Sequence, residues 1–157
     1  MNRFHVRKVA VLGAGIMGLT TARLIQEAGF PVTLYAKALP PHTTSNIAGG
    51  QWEAFSHFEA DQVTPEWHDQ YGRALDYSWR RFQIMVGEDY GIRWVPTYQQ
   101  SNRDVSQPSR AARYMPNLQI VPKDAHPFPV DRQVIRFDTT YAETGRLLNQ
   151  LTKDDTY

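Results

Sequence analysis

Gly13, Gly15 and Gly18 stand in the run Gly13-Ala14-Gly15-Ile16-Met17-Gly18, placed between two segments of different hydrophobic period. Before them, Lys8-Val9-Ala10-Val11-Leu12 is a short apolar, β-branched run, the pattern of a strand buried in a parallel sheet. After them, Leu19 to Ala28 carries Leu19, Ala22 and Leu24-Ile25 at helical spacing, and Gly29 is placed to end the helix. Val32-Thr33-Leu34-Tyr35 follows as a second strand. Strand, glycine turn, helix and strand fill Lys8 to Ala36, the size of one βαβ unit.

Glycines at this spacing say little by themselves, but this context gives each a task. Gly13 permits the tight turn, Gly15 lets backbone approach a pyrophosphate, and Gly18 lets the helix pack closely on the strand. The helix that starts behind them presents unpaired N–H groups and a partial positive charge to phosphates. Gly13, Ala14, Gly15, Ile16, Met17 and Gly18 are therefore the first candidate dinucleotide-binding residues. The bland alternative is a tight β–α turn with no ligand. Dinucleotide sites of this kind end the second strand on an acid that binds ribose hydroxyls. This chain has Tyr35-Ala36-Lys37-Ala38 there, with no acid between Glu27 and Glu53. Lys37 either meets a 2′-phosphate, as an NADP site would require, or is a solvated side chain at a strand end.

At 157 residues, with 41% hydrophobic and 21% charged residues, the chain can build a packed core. Its net charge of +1 offers no electrostatic reason to expect nucleic acid or a membrane as partner. Cysteine is absent, which excludes disulfides, thiolate zinc sites and cysteine nucleophiles. No run approaches the ~20 apolar residues of a membrane span, and the polar start Met1 to Lys8 leads straight into a strand. A cytoplasmic protein is the expectation.

Leu39 to Gln51, with two prolines, a His-Thr-Thr-Ser cluster and Ala48-Gly49-Gly50, reads as a long loop of the kind that is functional or mobile. Thr64-Pro65-Glu66 reads as a helix start, with a capping hydroxyl, proline at the first helical position and an acid in the first turn. Behind it Trp67, Tyr71, Leu75, Trp79, Phe82 and Val86 form an aromatic face, read as packing, on a helix ending near Gly87. A strand begins at Gly91 to Val95, Arg103 to Pro116 is loop or short helix, and Leu118 to Val121 and Val134 to Thr139 are further strands. Glu143 to Lys153 closes as a helix through Leu147, Leu148 and Leu151.

Val9 to Leu19, Tyr35-Ala36-Lys37 and above all Thr43-Thr44-Ser45-Asn46-Ile47-Ala48-Gly49-Gly50-Gln51-Trp52 resemble the D-amino-acid oxidase family, as does Phe137-Asp138-Thr139-Thr140 running into Tyr141 to Leu151. The resemblance implies an α/β fold: a Rossmann-type FAD-binding βαβ domain with part of a strand-rich (α+β) substrate domain. It implies an FAD-binding portion at 1–60, partial substrate domain at 61–135, and a return strand and helix at 136–157. It implies FAD as cofactor, with Thr43, Thr44 and Ser45 along the pyrophosphate and ribityl chain. Gly49, Gly50 and Gln51 would bring backbone to the flavin ring, and the nucleotide turn and Lys37 would lie at the adenosine end. The family usually has an acid near position 37 or 38, so Lys37 and Ala38 are a departure.

The implied activity is oxidation of a D-amino acid to an imino acid, with oxygen reduced to hydrogen peroxide. The resemblance covers about the first half of a family member. The expectation is a chain without the family's carboxylate clamp and returning strands, whose catalytic residues are unknown. Such a chain would be an inactive FAD- or ADP-binding fragment or one chain of a split enzyme, and an NAD(P)-binding protein is a further alternative. With its sheet short of strands, Leu147, Leu148 and Leu151 would lose cover, leaving an apolar patch that favours self-association or a complementing chain.

Other constellations carry little. His5, His42, His57, His68 and His126 show no metal-ligand spacing, no nucleophile elbow appears, and Arg103, Arg110 and Arg113 read as solvated surface. Trp52 either lies near the flavin with Glu53 or is plain core.

Overall fold

The computed structural model describes residues 7–54, 60–101 and 110–154. His5, His57, Arg103 and the first part of the polar segment after Ser101 lie outside these residues. The chain divides into two compact units: 1–50 with 87–91 and 142–157, and 51–86 with 92–141. These joints differ from the boundaries at 60 and 135 read from the sequence. Pairing explains the early one: the Trp52 N–H donates to the Thr140 carbonyl (2.9 Å) and Gln51 bridges Tyr141 antiparallel, so the chain enters the second unit at Gln51.

In the first unit, β1 (Val9–Leu12) pairs in parallel with β2 (Val32–Tyr35), in a register running from Val9 opposite Val32 to Leu12 opposite Tyr35. Between them runs α1 (Ile16–Glu27), three residues earlier at its start than the apolar pattern suggested. The early start has a cause: Ile16, Met17 and Gly18 form the first turn, where no apolar stripe is needed. Val11, Ala22 and Val32 form a small core, with Ile25 and Leu34 packed against it. Gly29, at φ +87°, ends α1 in the left-handed region as read.

α3 (Thr144–Asp154) packs against α1 and against a 3₁₀ turn, Thr44–Ile47, inside the segment read as a loop. Leu147, Leu148 and Leu151 are only 5%, 1% and 4% exposed. The expectation that they would lose cover is therefore corrected: they are buried in this chain, with α3 packed on α1 and on the Thr44–Ile47 turn. The exposed apolar side chains of this unit lie elsewhere, with Leu12, Met17 and Ile47 each more than three-quarters exposed.

In the second unit, α2 (Pro65–Ile84) starts as read: the Thr64 hydroxyl accepts from the Trp67 N–H at 3.2 Å, with Pro65 at the first helical position. It stops at Ile84, capped by Met85, so Val86 lies past the helix and is 40% exposed while Met85 is buried. That corrects Val86 as a member of the aromatic face. A three-stranded sheet has the order β3 (Ile92–Ser101), β5 (Gln133–Ala142), β4 (Gln119–Val121). β5 is central, and its buried Val134, Ile135, Phe137, Thr139, Thr140 and Ala142 do not simply alternate, as a strand covered on both faces requires.

Candidate nucleotide-binding site

The site is built where β1 gives way to α1. Gly13 takes φ +104°, a backbone state that side chains with a Cβ rarely adopt, and its N–H donates to the Tyr35 carbonyl at 2.7 Å. The turn is thereby tied to the end of β2. A Cβ on Gly18 would lie 1.8 Å from the Gly13 carbonyl oxygen, so glycine there is a condition of the turn closing on the helix. Gly15 is the N-cap of α1 in extended backbone, with no side chain to cap the helix. Ala14 is buried beside it, and Met17 projects into solvent.

The missing cap comes from the second segment. Ser45 Oγ accepts the Ile16 N–H at 3.0 Å, across 29 residues of sequence. A Cβ on Gly15 would sit 2.8 Å from that oxygen, so the glycine is what admits Ser45 to the helix end. The rest of the segment is tied together locally. Thr43 N–H and Thr43 Oγ1 both meet Asn46 Oδ1, at 3.3 and 2.7 Å, and the Asn46 N–H donates to the Thr43 carbonyl at 3.0 Å. The Asn46 carbonyl in turn accepts from Thr144 Oγ1 at 2.9 Å, at the start of α3. Thr44 is exposed.

The two glycines that follow differ. A Cβ on Gly50 would lie 1.9 Å from the Ala142 carbonyl, where the Ala142 N–H donates to the Gly50 carbonyl at 2.8 Å. Gly50 is therefore explained by the chain's own packing. Among the described residues nothing lies within 4 Å of such a Cβ on Gly49, and the residue is exposed. Packing within the chain gives no reason for glycine at position 49, whereas close approach by a flat ligand would.

The structure thus brings Gly13 to Gly18 together with Ser45, and ties Thr43 and Asn46 into the same unit through α3. Lys37 is exposed beyond the end of β2. Gln51 belongs to the second unit, where its Nε2 donates to Thr97 Oγ1 at 3.1 Å. Trp52 also belongs there and is core: it is 9% exposed, its Nε1 donates to Ser78 Oγ at 3.1 Å, and its ring lies 4.8 Å from Trp79 and 5.5 Å from Tyr114. Arg113, read as solvated, pairs with Asp76, which also accepts from Tyr114 Oη at 2.8 Å.

Asn46 was absent from the candidate set although a signal was available. Thr43-x-x-Asn46 has the spacing of a reciprocal cap, a hydroxyl residue with a side-chain amide three positions on. Among the described residues no three His, Asp or Glu side chains gather into a metal site, and no helix is long and apolar enough to cross a membrane.

A parallel βαβ unit whose glycine turn and helix amino terminus are met by a hydroxyl-rich second segment defines an α/β protein of the dinucleotide-binding kind. The family described as FAD dependent oxidoreductase matches residues 8–150, and the chain belongs to it. Two curated relatives are D-amino-acid oxidases. That of Streptomyces coelicolor is 44% identical over 45 residues, 29% of this chain and 14% of its own length. That of Rubrobacter xylanophilus is 33% identical over 82 residues, 52% of this chain and 22% of its own length. Among solved structures, iminodiacetate oxidase from Chelativorans sp. BNC1 has the same fold over 94% of this chain and 43% of its own, at a TM-score of 0.60 and 15% identity. The matched stretches therefore span less than half the length of each of these relatives.

Proposed function

We propose that the first unit binds FAD and serves an enzyme that oxidises D-amino acids to imino acids. The observation that carries the reading is the Ser45 hydroxyl at the amino end of α1, which ties the Thr43–Ser45 turn to the glycine turn. In this reading the N–H groups of Gly15, Met17 and Gly18 and the dipole of α1 hold the pyrophosphate, the Ile16 N–H being taken by Ser45 Oγ. Thr43, Thr44 and Ser45 line the stretch towards the ribityl chain, and Gly49 and Gly50 offer backbone to the ring, with Gln51 following them. Lys37 stands at the adenosine end. Bound FAD supplies the two-electron acceptor for amine-to-imine oxidation and is reoxidised by oxygen to give hydrogen peroxide. The residues that fit the group are the open Gly49 and the glycine turn.

The D-amino-acid oxidases among the relatives support this substrate class. Titration of the purified protein with FAD and with NADP, followed by flavin fluorescence and by calorimetry, tests the cofactor. Tighter binding of FAD is expected, and tighter binding of NADP overturns the reading. Peroxide release on addition of a D-amino acid rather than its L-enantiomer tests the substrate class in the whole protein.

A further inference from the structure

We propose that Asn46 is a positioning residue of the nucleotide site, setting both the place of the Thr43–Ser45 turn and the hydrogen-bonding character of Thr43. The inference rests on the flavin reading above and refines it.

Asn46 acts in two directions. Its Oδ1 takes both the N–H and the hydroxyl of Thr43, and its backbone carbonyl takes the Thr144 hydroxyl at the head of α3. α3 is itself anchored, since Leu148 is 1% exposed. The turn is therefore held from α3 through Asn46, while the next residue back, Ser45, reaches α1 through Ile16 N–H. Loss of the Asn46 side chain would release Thr43 from the turn, while the backbone bond to Thr144 and the Ser45 bond to Ile16 remain.

The same bonds decide what each hydroxyl can offer a ligand. A backbone N–H can only donate, so the Asn46 atom facing Thr43 is the oxygen, and the Thr43 hydroxyl must donate to it as well. Thr43 Oγ1 is left with lone pairs alone, which suit a sugar or ribityl hydroxyl and not a phosphate oxygen. Ser45 is the reverse: its oxygen accepts from Ile16, and its hydrogen stays free to donate to a phosphate. Asn46 thus makes the Thr43 hydroxyl an acceptor towards a ligand, while the Ile16 N–H leaves the Ser45 hydroxyl a donor. The arrangement has a cost, because Asn46 Nδ2 is buried without a partner among the described residues. A residue selected for stability alone would not leave that donor unsatisfied, and such local conflicts concentrate where position serves a ligand.

The test is FAD affinity measured well below the unfolding midpoint, for wild type, Asn46→Ala, Thr43→Val and the double variant. Asn46→Ala is expected to weaken FAD about 10-fold, and in the Thr43→Val background by clearly less, because the two residues act as one device. A lowered unfolding midpoint with FAD affinity within twofold of wild type would make the role merely structural and overturn the inference. Equal effects of Asn46→Ala in both backgrounds would also overturn it. Should Asn46→Ala fail to fold, Thr144→Val releases the other end of the link: weakening of about threefold supports the inference, and unchanged affinity overturns it. Failure of the wild type to bind FAD removes the flavin reading itself. Binding by wild type with indifference to Asn46 removes only the positioning role.

Discussion

Ser45 Oγ lies 3.0 Å from the amide nitrogen of Ile16, so a side chain 29 residues downstream caps the helix that the glycine turn leaves uncapped. An N-cap hydrogen bond contributes about 0.5–2 kcal/mol, and its loss leaves a helix N–H unsatisfied. Ser45→Ala is expected to lower the stability of the first unit by about 1 kcal/mol and to weaken FAD about fivefold. Denaturant melts and FAD titration check the pair. Unchanged stability would show that solvent replaces the hydroxyl without cost.

Gly18 and Gly49 separate folding from binding. Gly18→Ala places a Cβ 1.8 Å from backbone at Gly13, which no side-chain rotation relieves, and is expected to cost several kcal/mol or abolish folding of the unit. Gly49→Ala meets open space, so its stability should stay within about 0.5 kcal/mol of wild type. Its FAD affinity should nonetheless fall if, as proposed, the ring approaches there, because the methyl group would stand in its way. Circular dichroism melts with parallel titrations read both, and full affinity in Gly49→Ala would detach that residue from the site.

Lys37 is exposed where nucleotide sites commonly carry an acid. Lys37→Ala should change FAD affinity by less than about 0.5 kcal/mol, as surface substitutions do. Lys37→Asp is expected to tighten FAD by about 1 kcal/mol through charge-assisted hydrogen bonds to the ribose. Weaker binding by the Asp variant would show that the lysine itself meets the nucleotide.

The second unit should lose stability in alkali. Burial, and then the hydrogen bond to Asp76, holds the Tyr114 phenol above its ordinary range, and burial raises Tyr71 as well. Both folded-state values lie above the unfolded ones, so their contribution is complete below about pH 10 and disappears as pH climbs through the raised values. Thermal midpoints should be level from pH 8 to about 10 and fall beyond it. Tyr114→Phe, although less stable at neutral pH for want of the Asp76 bond, should show a shallower alkaline fall. An identical slope in wild type and variant would rule out Tyr114 as a source.

The local elements and the glycine turn were legible in the residue order alone, because both are short-range matters. β-branched runs, helical spacing, Thr64-Pro65 and Gly29 act over one to four residues, and Gly13 and Gly18 answer to a turn only six residues long. The relation to the D-amino-acid oxidase family was likewise legible in Thr43 to Trp52. Other features needed the folded chain, since they join residues far apart. Ser45 caps Ile16, Asn46 reaches Thr144 across 98 positions, and Gln51 and Trp52 join β5 rather than the nucleotide unit. The cover of Leu147, Leu148 and Leu151 was misjudged for the same reason: a hydrophobic stripe shows that a helix must be buried, whereas what buries it is a property of the packed unit. Hydrogen bonds and burial depend on distance in space, and at long sequence separation only the tertiary structure supplies that distance.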